Sequence, residues 1–166
     1  MKSAICSLLL TLFLAAPLLG HDTYEITLEL KEGRKTVQAR LELARSTSVA
    51  ACDPAPSQGV YFEPAEFPKW KPKLEAAASE FIAILGEEGS LAIESFAVSL
   101  NREDDILIDY AFQANGLSLE KLHAPILSRF PPEGFGVRVT YRDKSGYWYP
   151  PFMIFEDRQT VELPTR

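Results

Sequence analysis

Two histidines, one late cysteine and a run of three carboxylates are the residues of this chain whose types and spacing could do chemistry. His21 directly follows a segment with the marks of an export signal, so cleavage after Gly20 would free its amine. That amine and the imidazole would chelate one copper or nickel ion, with a second imidazole supplied by His123 in Lys121-Leu122-His123-Ala124-Pro125. No motif joins the two histidines, and the plainer reading leaves His21 as simply the residue after the cut. Glu103-Asp104-Asp105 could face a hard cation, but the run lacks the spaced ligands and the glycine of a calcium loop, and a solvated hairpin tip explains it better. Cys52 reads as a small buried hydrophobe, because no third group is placed to orient a Cys52–His123 pair. Ser128 and Ser145 lack the context of a nucleophile elbow, and no Gly-rich stretch could cradle a phosphate. No catalytic, cofactor-binding or metal-binding residue is assigned, and the expectation is a protein that is not an enzyme.

The elements that would have to position these groups are written mostly in a period of two. Phe96, Val98 and Leu100, then Ile106, Ile108, Tyr110 and Phe112, alternate with small or polar residues on either side of Asn101 to Asp105, which predicts an antiparallel hairpin over Leu91 to Gln113 with Phe96, Val98, Ile108 and Tyr110 inside. Tyr24 to Leu30 and Val37 to Leu43, around Lys31-Glu32-Gly33-Arg34, predict a second hairpin. Val137, Val139 and Tyr141 continue the pattern, the turn Asp143 to Gly146 leads into Tyr147 to Glu156, and Pro150-Pro151 points to a sheet edge or a bulge there. Leu117 and Leu119 suit a short strand, Ile126 to Arg129 a helical turn, and Gln159 to Leu163 a last strand. Leu74, Ala77, Ala78, Phe81, Ile84 and Leu85 fall at helical spacing, so a helix is predicted over Lys73 to Leu85 with Gly86 to stop it. The Pro-rich stretch from Ala50 to Pro72 carries Tyr61, Phe62, Phe67 and Trp70, which are expected to tuck inward and hold it down.

Composition narrows the setting. Lys2, the apolar run Ile5 to Leu14 and the change at Ala15-Ala16-Pro17 make residues 1–20 a signal peptide, too short in its apolar core for a membrane span. Residues 21–166 then form one domain of periplasmic or secreted type. The net charge of −6 and the lack of a basic cluster with interleaved aromatics disfavour nucleic acid as a partner. With Cys6 removed in the signal, Cys52 has no partner for an internal disulfide, so stability must come from apolar burial. Val49-Ala50-Ala51-Cys52 looks like a lipid-attachment box, but it lies far beyond the apolar signal core.

A freed N-terminal histidine resembles the copper chelate of lytic polysaccharide monooxygenases and of CopC-type copper carriers, although the late Asp-x-His arrangement of the latter is missing. Over most of residues 21–166 the order of features resembles small exported proteins similar to the extracytoplasmic N-terminal domain of the HupE/UreJ membrane-protein family. That resemblance is carried by His21-Asp22 after the signal, the expected helix leading to Gly86 and Gly89, the Asp104-Asp105 strand ending in Tyr110, and Tyr141-Arg142-Asp143 with Gly146. It implies a stand-alone sandwich domain. The family's membrane helices, associated with nickel or a related metal, have no counterpart in this sequence, so neither metal transport nor any functional residue is carried over.

The sequence therefore leads to a mainly β fold: a two-layer antiparallel β-sandwich, Ig-like, of six or seven strands with one packed α-helix. The function expected is that of an exported binding or accessory module for an envelope protein or component, with Trp148, Tyr149 and Phe152 forming an uncovered patch beside an edge strand. A periplasmic copper- or nickel-binding protein using His21 is the alternative.

Overall fold

Alternating apolar residues close into two sheets in the computed structural model, which describes residues 25–53, 61–130 and 135–165. The signal segment, His21, Pro54, Pro56 and the Pro131–Gly134 break lie outside the described residues. In chain order the strands are β1 (Glu25–Glu32), β2 (Thr36–Leu43), β3 (Ala83–Gly86), β4 (Gly89–Ser90), β5 (Ile93–Leu100), β6 (Ile106–Gln113), β7 (Leu119–His123), β8 (Gly136–Arg142), β9 (Phe152–Phe155) and β10 (Thr160–Glu162). Two helices, α1 (Arg45–Cys52) and α2 (Phe67–Ala78), and two 3-10 turns, Pro64–Glu66 and Pro125–Arg129, complete the described elements.

The larger sheet has the order β5-β6-β2-β1-β8-β9 and the smaller one β10-β7-β3-β4. Both expected hairpins form. In the first, Ile26 pairs with Leu43, Leu28 with Leu41 and Leu30 with Ala39, so three of the four inward side chains of β2 meet an apolar partner and Val37 faces Glu32. Its turn depends on Gly33, whose N–H donates to the Thr36 carbonyl at 2.9 Å; a Cβ there would lie 2.6 Å from that same oxygen. In the second, Val98, Ile108 and Tyr110 are buried and Phe96 is half-buried. Asn101 shapes the tip: its Oδ1 accepts from the N–H groups of Glu103 (2.8 Å) and Asp105 (2.9 Å), and Asp104 takes a positive φ of 66°.

Inward residues of the large sheet, among them Ile26, Leu28, Leu41, Ile108 and Val139, share one apolar cluster with Leu74 and Ala78 of α2 and with Ile84 and Leu122 of the smaller sheet. The Tyr110 hydroxyl donates to the Ala78 carbonyl at 2.8 Å and so ties β6 to the end of α2. Because each layer buries only one face, the outer face of the large sheet stays open, mostly polar over β1 and β2 and apolar at Met153 and Phe155 of β9.

Three expectations are corrected. The helix lies earlier than Lys73 to Leu85: it runs Phe67–Ala78, and Ala83–Gly86 is a strand. Phe81, Ile84 and Leu85 continue the helical spacing by coincidence, but the chain turns at Ser79-Glu80, where Glu80 and Phe81 donate to the carbonyls of Ala77 and Ala78. Gly86 stops no helix; it lets β3 approach β7, since a Cβ there would stand 3.0 Å from the Ser118 carbonyl oxygen. Next, β1 and β8 pair in parallel, Leu28 against Val139, although the sheet was expected to be antiparallel throughout. Parallel strands usually read as continuous apolar runs because both faces are covered, whereas here the outer face is open and β1 keeps a clean alternation. Third, the described residues form ten strands against the six or seven expected, and α1 was not foreseen.

Candidate binding surface

The residues singled out for chemistry are dispersed. His123 sits on β7, its Nδ1 within 2.8 Å of Thr160 Oγ1 and 3.2 Å of the Gln159 carbonyl, while His21 lies outside the described residues. Cys52 is half-buried at the end of α1; burial pushes its thiol up to about 11, against a smaller opposing pull from Arg129 and Lys73. The Ser128 hydroxyl donates to the Pro125 carbonyl at 2.7 Å and closes its own turn. Among the described residues no group of three His, Cys, Asp or Glu side chains could hold a metal ion. In the Pro-rich stretch Phe62 is buried and stacked with Phe67 and Trp70 at 6.5 and 5.5 Å, whereas Tyr61 is exposed beneath Arg45.

What the fold does bring together is the outer face of the large sheet. Strand register sets Ser95, Ala111, Gln38, Lys31 and Arg142 in one row across the strands, and Ala97, Asp109, Arg40, Glu29 and Thr140 in the next. Arg40 Nε donates to Asp109 Oδ1 at 2.7 Å, and Lys31 pairs with Glu29. The Asp109 hydrogen bond and charge raise the Arg40 pKa further. Between these pairs lies an open depression of about 580 Å³, with Ala97 and Ala111 lining it beside the longer polar side chains. Their methyl groups leave room that larger residues would fill.

Trp148 stands at the end of the first row. Its ring has Lys31 Nζ 5.8 Å and Arg142 Cζ 6.0 Å from the centroid, and 46% of the residue is exposed. The preceding turn fixes it: Asp143 Oδ1 accepts from the Ser145 hydroxyl (2.6 Å), the Ser145 N–H (2.8 Å) and the Tyr147 N–H (2.9 Å). The Ser145 hydroxyl is the main reason that the Asp143 carboxyl is held below its ordinary value. Tyr149 lies flat on Tyr141 at 5.3 Å, and the Tyr141 hydroxyl donates to Glu32 at 2.7 Å; burial first, then this bond, drives the phenol pKa strongly upward.

Beyond Trp148 the edge strand β9 exposes Met153 and Phe155, at 42% and 52%. Both reach over Gly136 of β8, where a Cβ would come within 2.9 Å of Met153 Cε and 3.2 Å of the Phe155 ring. The edge patch expected from Trp148, Tyr149 and Phe152 is thus present with a different membership. Tyr149 and Phe152 are half-buried against the core, and Tyr147, Met153 and Phe155 take their place. Phe152 to Phe155 is apolar at every position, so the sequence carried no alternation to say which side chains face out. No family model matches the chain, and no curated protein matches it either.

Proposed function

We propose that the protein is an exported, non-enzymatic two-sheet β-sandwich module that binds a component of the cell envelope through the outer face of its large sheet, at the Trp148 edge. The observation that carries this reading is the grouping of Trp148, Met153 and Phe155, exposed along one edge and bordered by Lys31 and Arg142. Single exposed apolar residues are ordinary; several along one edge beside cations form a surface suited to a partner. The signal-like segment at residues 1–20 supports the envelope setting, as does the resemblance to an extracytoplasmic domain. Among the described residues no helix is long and apolar enough to cross a membrane.

Recognition proceeds through side chains more than through strand addition. β9 has four residues, follows Pro150-Pro151, and is closed at its far end by the Phe155–Arg158 bridge, where Arg158 N–H donates to the Phe155 carbonyl. A short, proline-led edge resists the addition of a further strand. The test is co-sedimentation of the purified protein with isolated cell envelopes. Wild type is expected in the pellet, and a Trp148→Ala, Phe155→Ser double variant in the supernatant with an unchanged circular dichroism spectrum. Equal pelleting of both would overturn the assignment.

A further inference from the structure

We infer that the depression beside Trp148 is a binding site for a neutral, linear oligosaccharide. This deepens the binding-module reading and rests on it.

A sugar hydroxyl both donates and accepts, so a surface that holds several of them needs donors and acceptors side by side. The depression has that balance: Lys31 and Arg40 donate, Glu29 and Asp109 accept, and Gln38 and Ser95 do both. The cations do not dominate, because each is paired with an acid, Arg40 with Asp109 and Lys31 with Glu29. A phosphate-rich or strongly acidic ligand would meet those two carboxylates against an equal number of cations in the depression, with one further cation, Arg142, at the Trp148 end. The pairing also fixes the guanidinium and carboxylate before a ligand arrives, which lowers the ordering cost of binding, while each group keeps further hydrogen-bonding capacity.

Shape points the same way. The depression crosses from β5 to β1, three strand spacings or about 14 Å. A trench of this length suits a chain of sugars better than one. Ala97 and Ala111 line it with methyl groups and let a ring approach the sheet, while Trp148, outside the lining but next to Lys31, offers a half-exposed aromatic plate just past the β1 end. The Gln38 side chain is exposed and makes no hydrogen bond among the described residues, so its amide is available to ligand.

The test is isothermal titration of the full mature protein with hexasaccharides of β-1,4-glucose, β-1,4-N-acetylglucosamine, β-1,4-mannose and α-1,4-glucose, and with a galacturonate hexamer, at low and high salt. Binding of at least one neutral hexamer, insensitive to salt, is expected. Gln38→Ala, an exposed position whose change leaves the fold intact, should weaken it roughly tenfold, the loss of one or two hydrogen bonds. Ala111→Tyr, which fills the depression, should abolish it, with folding checked by the thermal melt, and Glu87→Ala, at an exposed position between β3 and β4 of the smaller sheet, should leave it unchanged. The inference is overturned if no neutral hexamer binds, if only the galacturonate binds and salt removes it, or if Gln38→Ala has no effect. Envelope binding without glycan binding would sink this inference alone; loss of both in the wild type would sink the module reading with it.

Discussion

Cys52 shows how a single side chain can carry a pH dependence without carrying a function. Its thiol ionises at about 11 in the folded protein against an ordinary value of 9.0, chiefly because burial disfavours the thiolate. The folded state therefore holds its proton where the unfolded chain has released it. Stability is unaffected below about pH 9 and falls as pH rises from there through about 11, where both states are ionised. Replacing Cys52 by Ala should remove this part of the alkaline loss. Urea midpoints at pH 8 and pH 10.5 measure it: the variant should lose less between the two than wild type, and an equal loss would show that the thiol is not desolvated in solution. Tyr110 and Tyr141, both with phenols raised by burial, contribute to alkaline destabilisation in either protein and cancel in the comparison.

At the scale of elements, the turn from Asp143 to Tyr147 is the part on which the proposed binding edge depends. Its carboxylate gathers two N–H groups and a hydroxyl, and Gly146 takes a φ of 90° that an L side chain adopts only with strain. Asp143→Ala should leave the thermal midpoint within a few degrees of wild type, because the turn is exposed, yet weaken envelope binding severalfold by letting Trp148 wander. Asp143→Asn, which keeps an accepting oxygen, should restore most of it. A variant that binds as wild type would mean that Trp148 is held by its cations alone. Elements whose cause is local were legible in the sequence: both long hairpins follow from strict alternation around polar turns, and Pro150-Pro151 marked the edge. Elements whose cause is tertiary were not. Ile84 and Leu85 suited either period and became a strand because β7 offers pairing on that side. The depression depends on sheet order, which places Lys31 between Gln38 and Arg142 from distant parts of the chain, and no spacing along the sequence could have joined them.

Across the whole molecule, the parallel join of β1 to β8 sets the terms of folding. Tyr141 and Glu32, bonded across that join, are 109 positions apart in the chain. Long loops must close before such contacts are rewarded, so refolding is expected on the millisecond-to-second scale typical of β topologies, measurable by stopped-flow fluorescence of the two tryptophans. A fragment ending at Arg129 should lack a cooperative urea transition, since β1 would keep an unpaired flank and lose the neighbours Val137 and Val139. A cooperative transition in that fragment would show that β2, β5 and β6 suffice. The same join has a consequence for delivery. A chain that is to be threaded across a membrane must stay unfolded until nearly all of it has passed, and here the middle of the large sheet cannot close until residues 136–142 arrive. Late closure would keep the polypeptide transport-competent and leave the final locking step to the far side.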